Sequence, residues 1–307
     1  MLNKLKGGEF VVTAEITPPV STDPAEFLQR AMPLKGLAAA INVTDGAGAK
    51  VHLSSLVASH FLLQAGIEPI FQMTCRDRNR LALQGDLIGA SALGFHNILV
   101  LAGDDPKLGD QPEAKAVFDL NSRDLMLMAH RMRTEGKLPT GVEIKHGVKL
   151  VIGAADVPQD PTPDWNPKGL LAKAEAGADF VQTQFCMDIG VVRRYAARLL
   201  ELGFKLPILI GVAPIPSAKS ARWMREKLFG TQIPDSIVER LEKAAEPKEE
   251  GAKICIELLQ QLAEVPGIAG AHVMAPQNFS QIPRVIADSG VTRRKQKTWN
   301  SPKALSS

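Results

Sequence analysis

Eight apolar runs rich in β-branched residues recur along the chain, each closing on a polar or small residue and a turn: 11–19, 39–46, 69–75, 97–105, 149–156, 179–185, 207–214 and 269–276. Strands this apolar on both faces suit a parallel sheet covered by helices rather than a half-exposed one. Helix-like segments lie between them at 25–32, 52–66, 78–94, 122–136, 170–178 and 190–203. Three more follow the seventh run, at about 217–229, 235–245 and 249–263. Asn121 or Ser122 suits the cap of the fourth helix, and Gly136 and Gly203 suit C-terminal stops.

The last polar or small position of each run is Glu15, Asp45, Thr74, Asp104, Asp156, Gln184, Ala213 and Ala275, at intervals of 30, 29, 30, 52, 28, 29 and 62 residues. A beat near thirty with two long gaps predicts eight βα units with two insertions. Right-handed crossovers close such units into an α/β fold of the (β/α)8, or TIM, barrel type, with extra helices after strand 7. An open doubly wound sheet is the alternative, but no GxGxxG follows the first run. The reading is one barrel over 1–291 and a basic tail over 292–307, carrying Arg293, Arg294, Lys295, Lys297 and Lys303.

Charge adds little: 36 Lys and Arg against 33 Asp and Glu leave +3, too small an excess to argue for nucleic acid. No apolar run reaches eighteen residues, which argues against a membrane span. The opening residues lack the pattern of a secretion signal, so a cytoplasmic location is expected. Cys75, Cys186 and Cys255 are widely spaced, and reduced structural thiols are expected. The six histidines show no ligand spacing, which disfavours a metal enzyme.

In a barrel of this kind chemistry gathers at the C-terminal ends of the strands. There the sequence places Glu15, Thr44 with Asp45, Gln72 with Thr74, Asp104 with Asp105, Asp156, and Thr183 with Gln184. An acid after a strand commonly caps the next helix, and that is the expectation for Asp105. Glu15 lies inside an apolar strand, where burial would suit it to general acid work. Asp104 follows Gly103, which permits close backbone approach to a planar ligand. Gln184 offers a donor and an acceptor to a heterocycle. Lys173 is either a surface lysine or a phosphate contact.

The motifs AEITPP, NVTDG, QMTCRDRNRLALQGD, NILVLAGDDP and AKAEAGADFVQTQF, in that order and spacing, resemble those of the methylenetetrahydrofolate reductases from about residue 9 to 290. The resemblance implies a flavin-containing barrel that reduces 5,10-methylenetetrahydrofolate to 5-methyltetrahydrofolate with NADH or NADPH, by ping-pong hydride transfer. It implies FAD, with FMN as second choice, and a homo-oligomer; some relatives work with a partner subunit. Glu15 matches the glutamate that protonates N10 of the folate. Asp104 matches an aspartate near flavin and pterin, and Gln184 a folate-binding glutamine. Thr44, Asp45 and Ala47 fall where flavin and nicotinamide are contacted, and Gly103, Ser122, Asp156, Asn166 and Lys173 at further flavin positions. Gln72 takes a flavin-contact position that is histidine in well-known members. Ala102 replaces an arginine, Asp45 stands where many have an aromatic, and the region around Leu241 lacks a phenylalanine.

The expected role is thus a cytoplasmic flavoenzyme of one-carbon metabolism, on the route to methionine. The alternatives are flavin-free hydride transfer from nicotinamide to folate, or a pterin-binding methyltransferase or complex subunit. A lysine-dependent aldolase is a further rival, for which Lys173 precedes its strand and is poorly placed.

Overall fold

In the computed structural model, which describes residues 1–275 and 278–293, all eight runs are strands. They are β1 (Val11–Ile16), β2 (Ala40–Val43), β3 (Pro69–Thr74), β4 (Asn97–Leu101), β5 (Val151–Asp156), β6 (Phe180–Phe185), β7 (Ile208–Val212) and β8 (Gly270–Val273). Each pairs in parallel with its neighbours in chain order, and β8 closes on β1. Closure leaves no sheet edge, and every strand lies between the barrel interior and a layer of helices.

The helices after the strands are α2 (Pro24–Ala31), α3 (Ser55–Gln64), α4 (Arg80–Leu93), α5 (Ser122–Glu135), α6 (Lys168–Glu175) and α7 (Ile189–Glu201). The long gap after β7 holds α8 (Ala218–Lys227), α9 (Asp235–Lys243) and α10 (Pro247–Leu262). Two helices escape the sequence pattern. One is α1 (Leu2–Lys6), a single turn with Leu5 buried; the other is α11 (Ile282–Ser289), which buries Ile282, Val285 and Ile286 after β8. From Arg294 onward the basic tail lies outside the described residues, as does Pro276 at the end of the eighth run.

Helix starts explain many polar residues near the mouth. Asn79, Asn121 and Asp188 cap α4, α5 and α7 by accepting first-turn N–H bonds, as Asp23 does for α2. Asp105 accepts from Lys107 N at 2.9 Å, the capping role expected of it. Gly136 ends α5 in the left-handed region, at φ 64°.

The barrel floor is apolar: Val11, Ala40, Ile70, Leu99, Phe180 and Leu209 pack together, with Met1 and Leu5 beneath them. Gly153 makes room for this layer, because a Cβ there would lie 2.4 Å from the Phe180 ring. The three cysteines are buried and unpaired, and burial pushes their thiols up, to about 11 for Cys75 and about 12 for Cys186. No described helix is long and apolar enough to cross a membrane.

Candidate active site

Strand alternation sorts the polar residues. On β1, Val12, Ala14 and Ile16 join the cluster beneath the helices, so Thr13 and Glu15 face the barrel axis. The same period of two turns Asn42 and Thr44, Gln72 and Thr74, Gln182, and His272 inward, while the register of β6 on β7 shifts between Gln182 and Phe185, so the period stops short of Gln184. It turns Asp156 outward with Ile152 and Ala154.

Above the floor the inward residues form a connected chain. Gln182 Nε2 donates to Thr13 Oγ1 at 2.9 Å and to Asn42 Oδ1 at 3.0 Å, while Asn42 Nδ2 donates to Gln182 Oε1 at 2.7 Å. Having accepted from Gln182, the Thr13 hydroxyl gives its hydrogen to His272 Nδ1, 3.0 Å away. That assigns the imidazole hydrogen to Nε2, which lies 3.5 Å from Glu15 Oε2. Gln72 Nε2 donates to the same oxygen at 2.7 Å. Two side chains from opposite directions therefore address Glu15 through Oε2.

Glu15 is not sealed in, as burial in an apolar strand had suggested: its side chain is 24% exposed, one residue before the C-terminal end of β1 at the mouth. The chain beneath it is fully buried and depends on the Thr13 hydroxyl. Thr13→Val keeps the shape but removes the hydroxyl that joins Gln182 to His272, leaving these two only their direct 3.3 Å contact. We expect a loss of about 1 kcal/mol in urea unfolding, the net worth of a hydrogen bond. Thr13→Ser should stay near wild type, and equal stability of all three would refute the chain.

Loops after β2, β3 and β4 build one side of the mouth. The Asp45 carboxylate accepts from Ser55 Oγ (3.0 Å), Thr74 N (2.8 Å), Thr74 Oγ1 (2.9 Å) and Arg78 Nη2. Arg78 Nη1 also binds Asp86 at 2.8 Å. With its oxygens so engaged, Asp45 contributes loop placement more than free acceptors. Arg76 is buried and forked onto Asp77, and its Nη1 donates to the Gly46 carbonyl at 3.1 Å. Its side chain passes between Gly46 and Gly103. A Cβ would lie 2.2 Å from Arg76 Nη2 at Gly46 and 2.9 Å from Arg76 Cβ at Gly103. This is the close approach those glycines serve.

Asp104 is exposed at the mouth and accepts from Gly48 N at 2.9 Å, linking the β4 loop to the β2 loop. In that β2 loop the Ala47 carbonyl faces His52 Nε2 at 3.3 Å. Thr44 is buried, and its Oγ1 has no partner among the described residues. A buried hydroxyl left so is ready for a ligand with a hydrogen-bonding edge.

Gln184 is half-buried; its Oε1 accepts from Phe185 N at 3.0 Å, which fixes which end of the amide meets a ligand. Asp156 lies between β5 and the helices, where Tyr195 Oη donates to its Oδ2 at 2.5 Å. Burial pushes the Asp156 carboxyl above the usual range, against the opposing pull of Tyr195 and of Lys173. Lys173 is no free surface lysine: its Nζ donates to the Ala155 carbonyl at 2.6 Å and lies 3.9 Å from Asp156 Oδ1. Ser122 is half-buried at the first position of α5. Asn166 is exposed before α6, its carbonyl accepting from Lys168 N at 2.8 Å.

The structure thus brings Glu15, Thr44 and Gln72 to the inner face, Gln184 to the end of β6, and Asp45, Ala47, Gly103 and Asp104 to one pair of loops. Asp156 and Lys173 meet outside the sheet. Sequence reasoning missed Thr13, Asn42, Gln182 and His272, although Thr13, Asn42 and Gln182 each lie two residues before a residue it had selected. It also missed Arg76, Arg78 and Tyr195, whose partners come from other elements.

The family model described as methylenetetrahydrofolate reductase matches residues 1–290. The chain is similar to the Caenorhabditis elegans protein named "Probable methylenetetrahydrofolate reductase (NADPH)", at 27% identity over 79% of this chain and 35% of that one. It is also similar to methylenetetrahydrofolate reductase 2 of Schizosaccharomyces pombe, at 24% identity over 98% of this chain and 48% of that one. It therefore spans about a third to a half of these relatives' length. Two solved structures share the barrel. One is a Clostridium thermocellum protein that binds two copies of 5-methyl-5,6,7,8-tetrahydrofolic acid (TM-score 0.65, 14% identity, 94% of this chain and 96% of that one). The other is an F420-dependent secondary alcohol dehydrogenase with an F420-acetone adduct (TM-score 0.58, 12% identity, 93% and 100%). At such identities they show the fold alone. With the family model running through every strand of the barrel, the chain belongs to the methylenetetrahydrofolate reductase family.

Proposed function

We propose that this chain reduces 5,10-methylenetetrahydrofolate to 5-methyltetrahydrofolate with NADH or NADPH as donor. The observation that carries the reading is a carboxyl group at an open barrel mouth, anchored by Gln72 and faced by His272 through one oxygen. The names of the relatives, and the methyltetrahydrofolate held by the clostridial barrel, support the substrate class.

Because both neighbours address Oε2, a proton on Glu15 belongs on Oε1. Its transfer to N10 breaks the bond from N10 to the bridging carbon and leaves an iminium cation at N5. The Asp104 carboxylate, exposed on the same rim, favours that cation electrostatically. A hydride then adds to the bridging carbon, giving the N5-methyl product. Gln184 orients the pterin with its amide.

The residues fit a flavin, for which we favour FAD. Thr44 Oγ1 lacks a partner among the described residues, and only one of the three Lys173 N–H groups goes to the Ala155 carbonyl, while the space a Cβ would take at Gly103 is filled by Arg76 and Thr74 rather than left for a ring. Gln72, Asp104, Thr44, Ala47, Ser122 and Asn166 would complete the binding set, with Asp45 holding the β2 loop in place and Asp156 acting only through Lys173. The flavin would supply a hydride carrier that lets nicotinamide and folate take turns at the mouth.

Anaerobic mixing of the purified protein with NADH or NADPH, then with methylenetetrahydrofolate, tests the reading. Loss of the flavin's visible band on the first addition and its return on the second are expected. A colourless protein that oxidises nicotinamide only when folate is present would replace flavin with direct transfer. No nicotinamide oxidation under any order of addition would overturn the function.

A further inference from the structure

Tyr195, the one tyrosine of the sequence, is fully buried in α7, yet it carries a hydroxyl where phenylalanine would fill the same space. Trp165 packs on its ring at a centroid distance of 5.8 Å, and the Trp165 indole donates to Gln159 Oε1 at 3.1 Å, closing the β5–α6 loop over it. The hydroxyl spends its hydrogen on Asp156 Oδ2. Burial and the neighbouring carboxylate push its acidity far beyond any working pH, so it acts as a donor throughout.

The consequence falls on Lys173. At 3.9 Å, Asp156 Oδ1 is a charge neighbour of Nζ and not a hydrogen-bond partner. Of three ammonium N–H groups, one goes to the Ala155 carbonyl, and the side chain is 26% exposed at the rim. Without the tyrosine bond, Asp156 would turn both oxygens to the lysine and spend the donors that remain.

We infer that Tyr195 is a positioning residue that holds Asp156 off Lys173, leaving the ammonium two donors for the diphosphate of a dinucleotide at the rim between β5 and α6. This rests on the proposed function, in which both FAD and NAD(P)H bring a diphosphate. Lys173 is the group that would touch the ligand, and Tyr195 acts only through Asp156.

Tyr195→Phe removes a single oxygen. Binding is read by fluorescence for FAD, NADPH and NADH, with riboflavin as the probe without phosphate. We expect about a tenfold weaker Kd for the dinucleotide seated here, equivalent to about 1.4 kcal/mol, with riboflavin unchanged. Loss for FAD alone assigns the site to the flavin; loss for the nicotinamides alone assigns it to the donor. With Asp156→Asn in place, Tyr195→Phe should have no further effect, because an amide does not neutralise the lysine. A purely structural role would persist there. Asp156→Asn by itself should bind the dinucleotide at least as tightly as wild type, which keeps the test open if Tyr195→Phe does not fold.

Unchanged dinucleotide binding by Tyr195→Phe, or the same loss with and without Asp156, overturns the inference. If folate reduction fails while Tyr195→Phe still weakens dinucleotide binding, the proposed reaction falls and the positioning role stands.

Discussion

Glu15→Gln is expected to slow folate reduction by about 10²- to 10⁴-fold, the usual worth of a positioned general acid, while nicotinamide still delivers its hydride in the first half-reaction. Glutamine has the same shape, and its amide oxygen can still receive the Gln72 N–H that now goes to Oε2. What it lacks is a transferable proton on the other branch. Without that proton N10 is a poor leaving group and the bridging carbon stays a poor electrophile. The loss should therefore appear in kcat for the folate step, with folate binding largely kept. Stopped-flow measurement of the two half-reactions separates these effects. If both proceed at wild-type rates the acid is another group, and if both fail the substitution has disturbed the mouth as a whole.

The barrel was legible in the sequence because parallel strands buried on both faces read as continuous apolar runs, and their thirty-residue spacing leaves room for one helix each. The same property hides which way a side chain points. Val12–Ile16 alternates apolar and polar and so puts Thr13 and Glu15 on one face, but in a strand covered on both sides the sequence does not say whether that face meets the axis or the helices. Thr74 and Asp156 each end a strand, yet the first faces the axis and the second faces the helices.

Partnerships were hidden for a different reason. Thr13 meets His272 across 259 residues, and Asn42 meets Gln182 across 140, so only closure of the barrel brings them together. Single-turn α1 and eight-residue α11 offer too few periodic positions to stand out beside longer helices.

Asp45→Ala should be the most damaging substitution at the rim for stability. One carboxylate holds the end of β3 through Thr74 N and Oγ1, the start of α3 through Ser55, and the β3 loop through Arg78. Alanine leaves the Thr74 N–H without this partner and strands a guanidinium whose side chain is only 18% exposed. Breaking a buried pair from one side costs about 3–5 kcal/mol. Residual exposure, and the surviving bond from Arg78 to Asp86, place this loss toward the lower end. Asp45→Asn, which keeps an acceptor, should lose less. Adding Arg78→Leu to Asp45→Ala should recover part of the deficit, because it removes the unpaired charge that the first change creates. Urea unfolding of the four proteins measures each term. The folate KM should rise with Asp45→Ala, since the next residues in the β2 loop include Gly48, whose N–H holds Asp104. A variant that kept full stability yet bound folate poorly would make Asp45 a ligand contact, whereas equal stability and unchanged KM would deny it either role.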